Sequence, residues 1–284
     1  KNIVPIISAR MESNRLPGKV LFDLCGKSVI YHHVERMLLS KADKKPYLAT
    51  SISKNNIKLI EEAKNLDILY YCGAEEDIAD RFINILEKEN CNAAIRCACD
   101  QPLFSYEIVD KLLEEYNGED YVYPINKLCK GIGLEIISLK ALKETRKYYR
   151  GPAITKYILE YPYKFTIKGI SVDDYFSRPE FRLTLDTLED YKLFEIIFNK
   201  FYEVGKPIVL KEVFRYLDDN PEIANMNRFA NESNINKYVP ELINKPVFKI
   251  FMKLNGKYIV ENKMSEIVNP SLFLKTIKNF SWDQ

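Results

Sequence analysis

Three cations crowd the start of this sequence: Arg10, Arg15 and Lys19, set among Ser13, Asn14, Pro17 and Gly18. Three positive charges on one turn-rich loop call for an anion, and side-chain cations with backbone N–H groups can together wrap a triphosphate. The spacing matches neither a Walker P-loop nor a dinucleotide fingerprint, since no Gly-x-Gly-x-x-Gly follows. Taken alone, the loop reads equally well as solvated basic surface, because Arg and Lys are mostly exposed in any protein. A second feature lies far along the chain, where Asp100 follows an apolar run in Cys99-Asp100-Gln101-Pro102-Leu103. A carboxylate facing a triphosphate loop can hold Mg²⁺, a hard cation that takes one or two carboxylates plus phosphate oxygens. The alternative is an aspartate that caps a helix near Tyr106. Asp186 has a similar double reading, because Thr187 and Asp190 just after it form a capping-box pattern.

The elements that must position these residues alternate between strand-like and helix-like stretches. Ile3 to Ile7 reads as a buried strand that empties into the basic loop. A helix capped by Ser28 runs to about Leu39, then follow a strand over Pro46 to Thr50, a helix over Asn56 to Lys64 and a strand over Asp67 to Tyr71. An acidic helix start carries Asp77, and Ala93 to Ala98 is a strand ending at Asp100. Further on come a helix over Tyr106 to Tyr116, strand-like segments at Asp120 to Pro124 and around Glu135, a strand ending at Asp186, and a helix over Tyr191 to Tyr202. Such alternation predicts an α/β fold with a mainly parallel sheet and helices on both faces. Ligands of open sheets of this kind gather outside the carboxyl ends of the strands, which is where Arg10 and Asp100 fall.

Composition narrows the classes. The 284 residues carry 42 basic and 40 acidic side chains, for a net charge of +2. Scattered charges of both signs argue against a nucleic-acid surface. Apolar runs fall short of a membrane span and no signal peptide precedes the first strand, which predicts a soluble cytoplasmic protein. The six cysteines show no repeating pairs and read as reduced thiols. Cys97-x-Cys99 with only His32 and His33 lacks the four-ligand spacing of zinc.

The segment Ser8-Ala9-Arg10-Met-Glu-Ser13-Asn-Arg15-Leu16-Pro17-Gly18-Lys19 resembles the opening of the sugar cytidylyltransferases, above all those of spore coat polysaccharide biosynthesis, and more distantly 3-deoxy-manno-octulosonate cytidylyltransferase. The resemblance implies a Rossmann-like sheet of the nucleotide-diphospho-sugar transferase (GT-A) type. It also implies that the A-R-x-x-S-x-R-L-P-x-K motif holds the phosphates of CTP, with Arg10, Arg15 and Lys19 as catalytic cations and Ser8 and Ala9 beside them. Gly73, Asp77 and Arg81 match the family's G-x-x-x-D-[IV]-x-x-R and are implied to lie against the nucleotide. Arg96, Asp100, Pro102 and Leu103 match R-x-x-G-D-x-P-L, with Cys99 in place of the glycine. Asp186 matches the aspartate of R-L-T-V-D-T-P-E-D, implied to be the second magnesium ligand beside Asp100. Glu135 and Ser138 keep the spacing of G-L-x-x-E-x-x-S, and a strand glutamate is either functional or paired with a cation. Arg150, Thr155 and Tyr157 occupy the place of R-E-H-V-T-P-Y-I, without its Glu and His, and with Glu135 they are the expected acceptor contacts.

The expected activity is transfer of CMP from CTP to a sugar acid or a phosphate- or phosphonate-bearing acceptor, with release of pyrophosphate, in surface polysaccharide biosynthesis. A homodimer is the expected assembly. Two alternatives come from other classes: a GT-A glycosyltransferase, which usually displays an Asp-x-Asp that this chain lacks, and a catalytically weakened nucleotide-binding module. The catalytic domain is expected over residues 1–228. Residues 229–284 form an extension with a hairpin signal at Asn255-Gly256 and a short helix from about Leu272 to Phe280.

Overall fold

The first strand, β1 (Ile3–Ser8), is buried on both sides: Ile3 and Ile7 enter one apolar cluster, Val4 and Ile6 the other. That pattern requires a sheet covered on both faces. The computed structural model describes residues 1–228 and, by backbone alone, strands at 250–254 and 257–261. After β1 come β2 (Asp23–Leu24), β3 (Lys27–Ser28), α1 (Val29–Leu38), β4 (Tyr47–Ser51), α2 (Ile57–Asn65), β5 (Leu69–Gly73), α3 (Ile78–Lys88) and β6 (Ala93–Ala98). Next are α4 (Tyr106–Glu115), β7 (Tyr121–Pro124), β8 (Glu135–Ser138), α5 (Leu139–Tyr148), α6 (Lys156–Glu160) and β9 (Ile167–Ile170). The remaining elements are α7 (Leu188–Phe201), α8 (Leu210–Asp219), α9 (Pro221–Ala224), β10 (Ile250–Leu254) and β11 (Lys257–Glu261).

Seven strands form the central sheet in the order β5-β4-β1-β6-β8-β7-β9, and only β8 runs against its neighbours. The chain builds outward from β1 through β4 to β5, then returns to the other side of β1 as β6. This reversal opens a crevice between the carboxyl ends of β1 and β6, the place where open α/β sheets bind ligands. Helices α1, α2, α4, α7 and α8 supply one face of the core through Val29, Leu59, Ile108, Leu193 and Val213. The other face is supplied by α3, α5 and α6 through Phe82, Ala141 and Ile158. The mainly parallel, helix-covered sheet is therefore as expected from the alternation of elements. Among the described residues no helix is long and apolar enough to cross a membrane.

Two expectations need correction. The third strand begins at Leu69 rather than Asp67, because Asp67 has a φ of 52° and turns the chain out of α2. Residues 181–186 form no strand: Leu183 N–H donates to Lys130 O at 2.7 Å and Leu185 N–H to Asp100 O at 2.7 Å, single bonds to loops in place of a ladder. Alternating apolar residues here reflect a buried irregular segment. Strands β10 and β11 pair antiparallel, with Leu254 opposite Lys257. The turn at Asn255-Gly256 and the helix expected from Leu272 lie outside the described residues.

Candidate active site

The loop after β1 is held from the β4–α2 connection. Asn56, fully buried, accepts from Met11 N–H at 2.9 Å and donates to Ser51 O at 3.0 Å and Ser51 Oγ at 2.9 Å. Gly18, in the left-handed region at φ 75°, lets the loop close with Gly18 N–H on Met11 O at 2.9 Å. The closed loop aims Arg15 and Lys19 at Asp186. Lys19 Nζ donates to Asp186 Oδ1 at 2.9 Å and Leu185 O at 2.6 Å, and lies 3.6 Å from Asp100 Oδ2. Arg15 Nη2 reaches the same Asp186 oxygen at 2.8 Å. Residues far apart in sequence thus converge on one ammonium group.

Asp186 has a third cation, since Arg182 Nη2 donates to its Oδ2 at 3.0 Å. Burial alone would raise the Asp186 pKa, but Lys19, Arg15 and Arg182 outweigh it and hold the carboxyl below the usual range. The capping box is also present: Thr187 Oγ1 accepts from Asp190 N–H at 3.3 Å, and Asp190 Oδ2 accepts from Thr187 N–H at 2.9 Å. Capping therefore uses Thr187 and Asp190 and leaves the Asp186 side chain to the cations. Helix α4 is capped by Ser105 Oγ, on Ile108 N–H at 3.1 Å, so Asp100 is not its cap. No third His, Cys, Asp or Glu joins Asp100 and Asp186 as a metal group among the described residues. Two carboxylates beside a cationic loop fit a hard divalent ion that completes its shell with water and phosphate oxygens.

Ser8 ends β1, its carbonyl accepting from Cys99 N–H at 3.1 Å, and Ala9 N–H donates to Ala49 O at 3.2 Å. The basic loop and the Asp100 loop are thus stitched at their roots. Cys99 does not take a positive φ, and its thiol points into the core. The glycine-to-cysteine change therefore brings no left-handed strain at this position. Arg10 lies 3.9 Å from both Glu75 and Glu76 across the ends of β1 and β5. Beside it Arg81 is almost wholly buried, with Nε and Nη1 lacking any hydrogen-bond partner. Burial lowers its pKa and the Arg10 charge adds to the effect. Gly73 makes room for this residue, because a Cβ there would lie 2.7 Å from Arg81 Cγ.

Other expected contacts are engaged elsewhere. Asp77 caps α3 on Asp80 N–H at 2.9 Å and accepts from Arg146 Nε at 2.9 Å. Arg96 and Glu135 face each other on adjacent strands and form an ion pair, and the Tyr121 hydroxyl donates to the same glutamate. Glu135 is thus paired with a cation, one of the two readings open from the sequence. Tyr157 is buried in an aromatic cluster with Tyr148 and Tyr161, and its hydroxyl accepts from Lys164 Nζ at 2.6 Å. Thr155 precedes α6 without capping it, and Arg150 is exposed. Among the described residues no hydrogen bond or ion pair joins Thr155 or Tyr157 to Asp100 or Asp186.

Sequence reasoning missed Arg182, Lys130 and His33 as parts of the site. Lys130 pairs with Arg182 through the backbone, and partial desolvation with the charges of Arg182 and Arg15 lowers its pKa. His33, fully buried, donates from Nδ1 to Val29 O at 2.9 Å and accepts Gln101 N–H on Nε2 at 3.1 Å, which fixes the peptide after Asp100. Only the neutral ring can do both. Burial pushes His33 and His32 each down to about 4. Between pH ~6.5, where unfolded histidine titrates, and about 4, the unfolded chain takes up protons that the native one refuses. Stability is therefore expected to fall on acidification through that window, by roughly 3 kcal/mol for each histidine. Urea unfolding at pH 7.5 and pH 4.5 measures it, and His33→Asn should flatten the slope; equal stability at both pH values would refute the assignment.

Residues 4–216 match the sequence profile of the family described as cytidylyltransferase. The chain is 27% identical over 237 residues to the spore coat polysaccharide biosynthesis protein SpsF of Bacillus subtilis, covering 78% of this chain and 97% of that one. It is 28% identical over 148 residues to 3-deoxy-manno-octulosonate cytidylyltransferase of Escherichia coli, covering 51% of this chain and 59% of the other. In fold it is similar to a solved cytidylyltransferase from Leptospira borgpetersenii, with a TM-score of 0.71 at 24% identity, covering 78% of this chain and 96% of that chain.

Proposed function

The chain belongs to the cytidylyltransferase family, and from that premise we propose that it transfers CMP from CTP to an anionic acceptor, a sugar acid or a phosphate- or phosphonate-bearing compound. It is a CTP-dependent nucleotidyltransferase; the acceptor class, the residue roles and a place in surface polysaccharide biosynthesis are our reading. The observation that carries it is the convergence of Arg15 and Lys19 from the first loop with Asp100 and Asp186 from distant segments.

In this reading an acceptor oxygen attacks the α-phosphorus of CTP in line; a new O–P bond forms, the bond from the α-phosphorus to the bridging oxygen breaks, and pyrophosphate leaves with that oxygen. Arg10, Arg15 and Lys19 neutralise the triphosphate, and Lys19, fixed among Asp186, Leu185 O and Asp100, meets the charge that grows on the leaving oxygens. Asp100 and Asp186 would hold a divalent ion, Mg²⁺ in our reading, which would supply positive charge against the phosphates. Arg81, buried beside Arg10, adds positive charge to the nucleotide side of the cleft in this reading. A dedicated base is needed only for a neutral hydroxyl, whereas a carboxylate, phosphate or phosphonate already offers an anionic oxygen. In the same reading Lys130, whose backbone pairs with that of Arg182, meets the charge of such an acceptor.

The test is pyrophosphate release from CTP with Mg²⁺ across a panel of sugar acids, sugar phosphates, phosphonates and neutral sugars. Release with an anionic acceptor, and a raised acceptor KM in Lys130→Ala, are expected. Release only with neutral sugars, or transfer from a sugar nucleotide without pyrophosphate, would contradict the reading.

A further inference from the structure

Behind Asp186 lies a chain of contacts that ends at Asn227, just before the chain enters residues 229–284. Arg182 Nε and Nη2 donate to Asp190 Oδ1 and Oδ2 at 2.9 and 3.1 Å, and Asp186 N–H donates to Asp190 Oδ2 at 2.9 Å. Asp190 therefore fixes both the backbone of Asp186 and the guanidinium on its side chain. Asp190 is in turn held by Asn227, whose Nδ2 donates to Asp190 Oδ1 at 2.8 Å and to Arg182 O at 3.0 Å. Asn227 is 1% exposed and Asp190 fully buried, so neither group can trade these bonds for water.

We infer that Asn227 is a positioning residue for the triphosphate site: its amide locks Asp190 and Arg182, and through them the orientation of Asp186 toward Lys19 and Arg15. It touches neither the proposed substrate nor a reacting atom, and acts only through the two residues it clamps. A carboxylate buried between three cations has several competing geometries, and the clamp selects one. The consequence is that the segment after α9 is bonded directly into the ion network around Asp186. The inference rests on the proposed function only for the ligand used to probe it.

The discriminating comparison is among Asn227→Ala, the near-isosteric Asn227→Asp, and Leu217→Ala, a core truncation on α8 where the side chain is 1% exposed. If Asn227 merely fills space, aspartate should serve better than alanine. If it positions through its N–H donor, aspartate should be the worse, because it sets a second carboxylate against Asp190. Calorimetric titration of each variant with CTP and Mg²⁺ needs no acceptor. Binding is expected to weaken about tenfold in Asn227→Ala, as for other partners behind a ligating carboxylate. It should weaken further in Asn227→Asp and stay unchanged in Leu217→Ala despite a lower melting temperature. The Arg182 Nε–H resonance in arginine-labelled protein, assigned by its absence in Arg182→Lys, should be sharp in wild type and Leu217→Ala and lost in Asn227→Ala. Wild-type binding in Asn227→Ala, tighter binding in Asn227→Asp than in Asn227→Ala, or a persistent resonance in Asn227→Ala would overturn the inference. If Asn227→Asp does not fold, Asn227→Ala against Leu217→Ala decides. Absence of CTP binding by the wild-type protein would instead overturn the proposed function, and the resonance would still judge the clamp.

Discussion

Lys19→Met is expected to lower kcat/KM for CMP transfer about 10³-fold, at the upper end of what one charge-stabilising donor supplies. The ammonium group joins Leu185 O, Asp186 and Asp100, at 2.6, 2.9 and 3.6 Å. Methionine keeps the length and apolar stem of the side chain and removes the charge. Asp186 would keep Arg15 and Arg182 as partners, so the fold should survive. Arginine should not substitute well, because a planar fork cannot reproduce three contacts made from one compact nitrogen. Pyrophosphate release, measured beside a urea melt, separates lost chemistry from lost structure. Activity within tenfold of wild type in a folded Lys19→Met would remove Lys19 from the mechanism.

Gly131→Ala is expected to destabilise the fold by about 4 kcal/mol or more, in the range reserved for backbone conflicts. Gly131 sits at φ 99°, and a Cβ on it would lie 1.9 Å from Leu183 O, 2.4 Å from Leu183 C and 2.9 Å from Thr184 N. All three are backbone atoms, which cannot swing aside as a side chain can. They belong to the segment that carries Asp186, and it is tied to the Gly131 loop through Leu183 N–H on Lys130 O at 2.7 Å. Gly118→Ala is the control, since Gly118 has the same φ of 99° with nothing within 4 Å of the added carbon. It should cost only the left-handed backbone term, roughly 1–2 kcal/mol. Equal melts for the two variants would mean that the close approach at Gly131 does not exist in solution.

Local signals carried much of this architecture. Ser28 caps α1, accepting from Tyr31 N–H at 3.2 Å, as its position before an apolar-periodic run predicts. The β1 and β6 runs end where basic and acidic loops begin, which was enough to bring Arg15, Lys19 and Asp100 to one crevice. What the sequence could not convey was set by tertiary approach. The segment before Asp186 looks like a strand because apolar residues alternate in the sequence, yet it is buried almost throughout and its hydrogen bonds go to separate loops. Arg182 and Asp190 lie inside a recognisable motif, but their bonds to each other and to Asn227 join groups up to 45 residues apart. His33 looks like an ordinary helix residue, and only the fold places Gln101 N–H on its ring. Arg96 and Glu135 lie in separate motifs of the sequence, and only cross-strand register shows that they pair.

The central claim is that the converging cations and carboxylates form a CTP site, and it can be tested without knowing the acceptor. Thermal unfolding with each of the four nucleoside triphosphates, with and without Mg²⁺, reads selectivity directly, because a ligand that binds only the native state raises the melting temperature by mass action. A clear rise with CTP and Mg²⁺, small or absent with ATP, GTP and UTP and lost in Lys19→Met, is the predicted result. No rise with any triphosphate, or a rise indifferent to Lys19, would contradict the account.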